Sequence, residues 1–246
     1  MKKLVSVFIL FFYCQFLCIN IFGQALFQDS NTYDLPQKNA IDFYYKSLGP
    51  NAHLYNGSGY ETYDVHIKGN PFFLPAMQSG SLYYDGMRYE NLPMIYDIHH
   101  DELIINRYTQ NFRIRLVNEK TSYFTLENHF FIRIVQDTSN NPVIPTGYYE
   151  RLYDGNITAL AKRRKRIDET ILAEGLSSQF IEDDLFYIRK DNIYYAVRNK
   201  RGVLDIFRER KKEIKKFLRK NKIRFKDNPE YAIVRISGFY DQEKNK

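Results

Sequence analysis

The chain has 246 residues, with 36 Lys or Arg against 29 Asp or Glu, which gives a formal net charge of +7 at pH 7. Its two cysteines, Cys14 and Cys18, both lie near the N-terminus. A mature form without that segment has no disulfide framework, no thiol nucleophile and no cysteine metal site. The 21 Tyr and 19 Phe, with no Trp, favour a core rich in β-structure over a sugar-stacking surface.

The first residues have the layout of a secretory signal peptide. Lys2 and Lys3 precede an apolar run, and the small residues Gly23 and Ala25 offer two cleavage positions. An uncleaved anchor is the alternative, because the apolar run approaches the length of a bilayer span. A lipoprotein is disfavoured, since neither cysteine follows a small residue. We therefore predict an exported protein of the periplasm or outer cell envelope of a bacterium.

The next elements are a short helix and a β meander. In PQKNAIDFYYKSLGP, apolar residues recur at helical spacing between Pro36 and Gly49, which predicts an amphipathic helix. From residue 54 to 135 the period changes to two, as in NFRIRLV and HFFIRIV. This pattern predicts an antiparallel meander with one buried face, and Pro93 within it indicates an edge position or a bulge.

The polar segment 136–147, QDTSNNPVIPTG, is the best internal boundary. Beyond it, we predict one hairpin in GYYERLYDGNITALAKRRKRIDETI and a second in LFYIRKDNIYYAVRN, which turns near Asp191 and Asn192. A helix over TALAKRRKRIDETILAEG is the alternative for part of the first hairpin, because that run contains no proline.

The C-terminal part is helical. An apolar stripe in VLDIFRERKKEIKKFLRKNK predicts one helix over 203–220, and Pro229 begins a second helix over 229–240. The stripe fits packing on a sheet better than lying on a membrane. Three i, i+3 ion pairs are expected on the exposed side: Asp205 with Arg208, Glu209 with Lys212, and Glu213 with Lys216.

Together these elements predict an α+β fold, mainly an antiparallel β meander or curved sheet with a short N-terminal helix and a C-terminal helical hairpin. The predicted organisation is a signal peptide (1–23), an N-terminal helix plus meander (24–135), a loop (136–147), and β hairpins plus the basic helical hairpin (148–246). The last part is expected to form one compact unit with 24–135.

No pattern of residues predicts catalysis, a cofactor or a metal. His99, His100, Asp101 and Glu102 are consecutive, so their side chains cannot all converge on one ion, and they are more typical of a hairpin turn. Phosphate loops, dinucleotide fingerprints and serine-nucleophile elbows are missing from the sequence. A hydrolase using Glu182, Asp183 or Asp184 with a histidine is the weakest of the functions considered.

Charge is the sharpest functional signal. Residues 1–150 hold 11 Lys or Arg against 14 Asp or Glu, whereas residues 151–246 hold 25 against 15, a net charge of +10. Edge protection or simple solubility could explain this excess. The alternative is contact with an anionic partner, for which the candidate residues are Lys162, Arg163, Arg164, Lys165, Arg166, Lys212 and Lys216.

Three Tyr-Asx-Gly stretches punctuate the chain, at 54–57, 83–86 and 152–155. Their separations are too unequal for a tandem repeat. Asn-Gly and Asp-Gly suit tight hairpin turns, so we predict that all three mark places where the sheet folds back.

Several longer segments carry a resemblance: LYNGSGYETY, GNPFF, GSLYYDGMRYENLPMIYD, LYDGNITALAKRRKR, RKDNIYYAV and KKEIKKFLRKNKIRFK. In this order they resemble exported proteins of Bacteroidota that have no assigned function. The resemblance covers most of the mature chain and implies a cell-envelope setting. It implies no activity, ligand or catalytic residue.

The expected function is therefore non-enzymatic binding, through the basic C-terminal part, of an envelope protein or an anionic surface such as lipid head groups or polysaccharide. Export disfavours nucleic acid as the partner. The alternative is a periplasmic carrier of a lipid or other apolar ligand in an aromatic-lined groove.

Overall fold

A computed structural model describes residues 54–106, 112–136, 144–173 and 175–244. The predicted signal peptide and N-terminal helix lie outside these residues. The described strands are β1 (Ser58–Gly59), β2 (Gln78–Tyr84), β3 (Met87–Asp97), β4 (Glu102–Asn106), β5 (Arg113–Arg115), β6 (Thr121–Leu126), β7 (His129–Ile134), β8 (Gly147–Asp154), β9 (Thr158–Lys162), β10 (Lys165–Leu172), β11 (Gly175–Glu182), β12 (Leu185–Lys190) and β13 (Ile193–Val197). The described helices are α1 (Lys200–Ile206), α2 (Lys211–Lys220) and α3 (Pro229–Lys244).

Eleven of these strands form one sheet in the order β1-β5-β4-β3-β2-β6-β7-β8-β9-β12-β13. Every strand pair within it is antiparallel, which confirms a mainly antiparallel sheet accompanied by helices. Two runs, β2 to β5 and β6 to β9, are meanders of consecutive strands. Pro93 lies beyond the end of the β4 ladder and close to a bulge near Gly80, so the missing N–H breaks no pairing with β4.

The first eight strands curl around a core of aromatic and aliphatic side chains. Tyr96 on β3 and Tyr148 on β8 are four strand positions apart, about 19 Å in a flat sheet. Their ring centroids are nevertheless only 5.8 Å apart, and Phe124 and Phe131 fill the space beside them. The alternating Tyr and Phe that predicted a half-buried sheet therefore line the inside of a curved one. We call this cluster the N-terminal core.

The last strands are covered by the three helices on one face. Ala159 and Ile188, which are paired across β9 and β12, contact the apolar side of the helices. Their neighbours Leu160 and Tyr187 point to the opposite face and join Tyr149 in a smaller cluster there. We call the two clusters the helix-covered core and the rear core. Strand β8 contributes to all three cores, through Tyr148, Tyr149 and Tyr153.

The single helix predicted over 203–220 is wrong. The chain turns at Phe207 (φ −106°, ψ 40°) and passes through a 3-10 turn, Arg208–Arg210, before α2 begins. No apolar side chain in 208–213 holds a continuous helix against the core, and the turn lets Glu209 reach Lys190 and Tyr240.

The three expected i, i+3 ion pairs are also wrong. The break separates the first two pairs, so Asp205 pairs with Lys211 and Glu209 with Lys190. Within α2, Glu213 pairs with Arg210 on the preceding turn and not with Lys216. The predicted partners Arg208, Lys212 and Lys216 are left on the solvent side.

The prediction for the three Tyr-Asx-Gly stretches is correct only in part. Asp85 (φ +50°) and Gly86 (φ +79°) form the tight turn between β2 and β3. Gly155 also lies between two paired strands, β8 and β9. Here glycine is required for lack of space, because a Cβ would overlap the Asp241 carboxylate. Gly57 precedes β1 and is pressed against the Arg115 backbone, so it is no hairpin turn. The three glycines have no neighbouring residue in common.

Strands β10 and β11 form a separate hairpin inserted between β9 and β12. This confirms strand over helix for 158–172. The base of the hairpin is held by backbone hydrogen bonds between Lys68 and both Ser178 and Phe180. Its tip is open to solvent, with Ile171 86% and Leu176 64% exposed. The second predicted hairpin is confirmed too, because Asp191 and Asn192 both have positive φ at the β12–β13 turn.

Candidate binding surface

The basic run KRRKR does not lie along one strand. Lys162 ends β9, Arg163 and Arg164 form a corner, and Lys165 begins β10. The first predicted hairpin therefore ends within this run, because the chain leaves the main sheet after Lys162 and begins a separate hairpin at Lys165. Each of the five cations has a partner within the protein.

Arg163 is the centre of an internal ion-pair network. Its guanidinium is only 11% exposed and contacts Glu150 at 2.5 Å, Asp184 at 2.6 Å and Glu230 at 2.8 Å. Glu150 also lies 2.5 Å from Nδ1 of His129. Burial alone would lower the pKa of Arg163, but the hydrogen bonds with Glu230, Asp184 and Glu150 outweigh it and raise that pKa. The side chain thus joins β8, the base of the hairpin and α3.

The other four cations of the run are also engaged. Lys162 pairs with Asp101 at 2.6 Å, and its burial lowers its pKa although Asp101 opposes the shift. Arg164 pairs with Asp183, and Arg166 pairs with Asp168 at 2.7 Å. Lys165 donates to the Phe72 carbonyl oxygen at 2.7 Å. The run therefore has a structural use already, and its side chains are poorly placed for an external anion.

The four consecutive polar residues at 99–102 diverge, as the sequence predicted for a hairpin turn. His99 contacts the Lys165 carbonyl oxygen and His100 the Tyr63 hydroxyl, while Asp101 and Glu102 pair with Lys162 and Arg115. Within the described ranges, no group of three or more His, Cys, Asp or Glu side chains is arranged to hold a metal.

The buried residue Asp97 organises this turn. Its Oδ2 accepts hydrogen bonds from Tyr60 and Tyr63, and its Oδ1 accepts from the backbone N–H groups of His99 and His100. Burial, the charge of Asp97 and the hydrogen bond to it raise the pKa of both phenols. Raised phenol pKa values argue against tyrosinate chemistry here and fit a structural network.

The carboxylates considered for a hydrolase point into ion pairs. Asp183 and Asp184 bind Arg164 and Arg163, and Glu182 is exposed opposite Lys165 in the β10–β11 ladder. Arg163 stands between Asp184 and Glu150, the carboxylate that His129 contacts. Among the described histidines, none pairs with Asp184, so the arrangement lends acid–base chemistry at Asp184 no support.

The cations that face solvent lie further along the chain. Residues 198–226 contain 14 Lys or Arg against three Asp or Glu. We define the basic surface as the twelve of these cations that are exposed, namely Arg198, Lys200, Arg201, Arg208, Lys212, Lys215, Lys216, Arg219, Lys220, Lys222, Arg224 and Lys226. It includes Lys212 and Lys216 from the sequence-based candidates but none of the KRRKR run.

Five cations of the basic surface lie on α2, and they are exposed because this helix has one apolar and one charged side. Ile214 and Leu218 are buried in the helix-covered core, which turns the lysines between them outward. In the part of the chain that the structure describes, most cations of the basic surface lie beyond ion-pair distance of any carboxylate. These are Arg198, Lys200, Arg208, Lys212, Lys215, Lys216, Arg219, Lys220, Lys222 and Lys226.

An open groove of about 660 Å³ lies at one end of the basic surface. It is formed where the chain leaves β13 for α1 and where the α2–α3 connection passes. Its lining residues are Arg198, Asn199, Lys200, Ile223, Arg224, Phe225, Lys226, Asp227 and Pro229. Four cations against one carboxylate give the groove an excess of positive charge, and Ile223 and Phe225 add apolar surface.

Sequence reasoning missed the groove. The charge count pointed to the C-terminal part, but KRRKR stood out because its five cations are consecutive. Arg198, Lys200, Arg224 and Lys226 are spread over 29 residues and come together only because α2 folds back. The distribution of carboxylates along the sequence was the signal that could have found it. Asp183 and Asp184 follow KRRKR and are available to pair with it, whereas residues 214–226 contain no Asp or Glu.

Comparison with models of protein families, with curated protein sequences and with solved structures found no match for this chain. None of the helices in the described ranges has the length and apolar character needed to cross a bilayer.

Proposed function

We propose that this chain is an exported cell-envelope protein that binds an anionic partner, non-enzymatically, through the basic surface. The observation that carries the proposal is the contrast between its two groups of cations. Four of the five KRRKR side chains pair with carboxylates of the protein and Lys165 donates to a carbonyl oxygen, whereas ten cations in residues 198–226 have no carboxylate partner among the described residues. A surface with this excess of one sign attracts a partner of the opposite sign.

The helical position of these cations supports the same function. Lys212, Lys215, Lys216 and Lys220 project from one rigid helix whose other side is anchored in the core. Such a surface keeps its charge density in place without ordering a loop, so little conformational entropy is lost on binding. The predicted export makes envelope components the anions within reach.

The test is salt-dependent retention on isolated bacterial envelopes. We expect the quadruple variant Lys212→Gln, Lys215→Gln, Lys216→Gln and Lys220→Gln to bind at least about tenfold more weakly at low salt, because each lysine near an anionic surface contributes roughly 1 kcal/mol. Arg163 is left unchanged, since its removal would disturb the fold.

The matched control replaces the same four lysines with arginine, which keeps the charge and should keep the retention. Separate assays with anionic vesicles, acidic polysaccharide and protease-treated envelopes identify the class of partner. Equal retention of the glutamine variant and the unchanged protein at low salt would overturn the proposal.

The alternative function, a carrier of an apolar ligand in an aromatic-lined groove, has less support. Among the described residues, most Tyr and Phe side chains belong to the three cores, and Phe225 is the one aromatic residue lining the basic groove. Native mass spectrometry of protein purified from its host tests this function. A retained lipid mass would favour the carrier over the binding protein.

A further inference from the structure

Among the residues that the structure describes, strand β13 pairs only with β12, so it forms a free edge of the eleven-stranded sheet. Across the two-residue turn at 191–192, Lys190 faces Ile193, which fixes the hydrogen-bonding register of the pair. Ile193, Tyr195 and Val197 then exchange backbone hydrogen bonds with β12. The backbone N–H and C=O groups of Tyr194 and Ala196 point away from the sheet.

This edge lacks the usual protection against pairing with another strand. Sheet edges are commonly shielded by charged residues, by proline or by being very short. The opposite edge, β1, has only two residues, Ser58 and Gly59. In contrast β13 has the sequence IYYAV, with no charge and no proline, and Ile193 is 54% exposed.

The free edge runs directly into the basic groove. Arg198, the first residue after β13, and Lys200 line the groove together with Arg224 and Lys226. A ligand bound along β13 would therefore have its next residues among four cations. An extended chain can meet both features at once, since it supplies backbone groups to the edge and acidic side chains to the groove.

We propose that β13 and the basic groove together bind an extended, acidic segment of a partner protein by strand addition. This rests on the proposed function and names its partner class. Backbone hydrogen bonds to Tyr194 and Ala196 supply affinity, and carboxylates in the groove supply specificity. All neighbours in the sheet are antiparallel, so the added strand runs antiparallel to β13 and its acidic residues precede its β-forming residues.

Charge argues against a second copy of this chain as the occupant. Pairing β13 with itself would bring two C-terminal parts together, each with a net charge of +10 over residues 151–246. In an antiparallel register centred on Tyr195, Lys200 of one copy would face Lys190 of the other. Repulsion between like charges disfavours that assembly, whereas an acidic chain is attracted.

The test uses the full chain and a fluorescein-labelled peptide of about twelve residues, in which Asp and Glu are followed by alternating Thr and Val. Ala196→Pro removes one outward N–H while leaving the β12 ladder intact, and we expect it to weaken peptide binding about tenfold. Ala196→Thr keeps the N–H and should bind like the unchanged protein. Lys200→Gln with Lys226→Gln should also weaken binding about tenfold and reduce its salt dependence.

A second measurement covers the case in which Ala196→Pro does not fold. The same peptide, N-methylated at alternate residues of its Thr-Val part, should bind the unchanged protein about tenfold more weakly than the unmodified peptide. Circular dichroism and thermal melting establish that each protein variant is folded before its binding is compared.

The outcomes separate this inference from the proposed function. If the charge variant weakens binding but Ala196→Pro and the N-methylated peptide have no effect, strand addition is wrong and the proposed function stands. If the peptide fails to bind at low salt while envelopes still retain the protein, the acidic-peptide partner is wrong. A dimer that disappears in Ala196→Pro would overturn the inference in favour of self-pairing. Loss of all salt-dependent binding to envelopes would overturn the proposed function itself.

Discussion

At the scale of single residues, Arg163 shows the difference between a buried and an exposed cation. We expect Arg163→Met to lower the free energy of unfolding by about 3–5 kcal/mol, because the buried Glu150 loses its main cationic partner. Arg166→Met is the matched control, since the Arg166 side chain is 53% exposed beside Asp168 and should cost at most about 1 kcal/mol. Urea denaturation measures both. Equal losses would contradict the network described for Arg163.

Removing the hydroxyl group should change stability in opposite directions at two tyrosines of the N-terminal core. The buried hydroxyl of Tyr89 has no hydrogen-bond partner within the described residues, and burial raises the pKa of this phenol to about 12. Tyr89→Phe should therefore be neutral or stabilise the fold by about 1 kcal/mol. The hydroxyl of Tyr96 donates to Asp101 at 2.6 Å, so Tyr96→Phe should destabilise by about 1.5–3 kcal/mol. Thermal unfolding measures the stability of both variants. A change in stability of the same sign in both would contradict the prediction.

At the scale of elements, Gly86 and Gly155 occupy similar sequences for different reasons. Gly86 needs its positive φ but has open space around it, so Gly86→Ala should cost about 1 kcal/mol. At Gly155 a methyl group would overlap the Asp241 carboxylate, which already accepts from Tyr153 and the Ile157 N–H. Gly155→Ala should therefore cost more, about 1–3 kcal/mol. Chemical denaturation of the two variants compares them, and a larger loss at Gly86 would contradict this assignment.

The attachment of the 3-10 turn to β12 should depend on pH. Burial opposes ionisation of Glu209, but hydrogen bonds from Lys190 and Tyr240 outweigh it, and its pKa is lowered. A lowered carboxyl pKa contributes stability that is fully present above the unfolded pKa, near 4.5, and is lost as pH falls through the folded pKa. Glu209→Gln should thus lower the urea midpoint at pH 7, and the difference from the unchanged protein should shrink below about pH 4.

The control for this pH dependence is Glu182→Gln, because Glu182 is exposed and forms no ion pair among the described residues. Its urea midpoint should follow that of the unchanged protein across the pH range. A constant difference between Glu209→Gln and the unchanged protein from pH 7 to pH 3 would show that the carboxylate contributes nothing through its charge.

The sequence predicted elements well where a local rule decides them. Period-two alternation in NFRIRLV and HFFIRIV identified β5 and β7, and the Asp191-Asn192 turn identified the β12–β13 hairpin. It failed where tertiary contacts decide. The break at Phe207 accompanies the contact of Glu209 with Lys190, 19 residues earlier, and the partners of Arg163 come from β8, the β11–β12 link and α3. Local spacing in the sequence carries no information about such partners. The sequence therefore predicted KRRKR as a candidate site, whereas the structure favours the basic surface.

At the scale of the whole molecule, β8 should make the fold cooperative. One strand carries Tyr148 in the N-terminal core, Tyr149 in the rear core and Tyr153 against the helices. Loss of any one core therefore removes packing from the others. We expect a single unfolding transition for the described part of the chain.

The sequence contains no Trp, so a single introduced Trp reports on one place in the fold. Two single-Trp variants can therefore test whether unfolding occurs in a single transition. Phe130→Trp reports on β7, and Phe217→Trp reports on α2 where it stacks against Phe239. Their fluorescence midpoints in urea should coincide. A lower midpoint for Phe217→Trp would mean that the helices detach before the sheet unfolds.

The β10–β11 hairpin has a consequence for how this protein can change over evolution. Because β9 and β12 are hydrogen-bonded neighbours, with Lys162 opposite Leu185, the sheet is continuous whether or not the hairpin is long. Insertions, deletions or new sequences beyond its anchored base shift no strand register in the sheet. The tip, where Ile171 and Leu176 are open to solvent, is thus the part whose sequence can change most freely during evolution while the rest of the fold is retained.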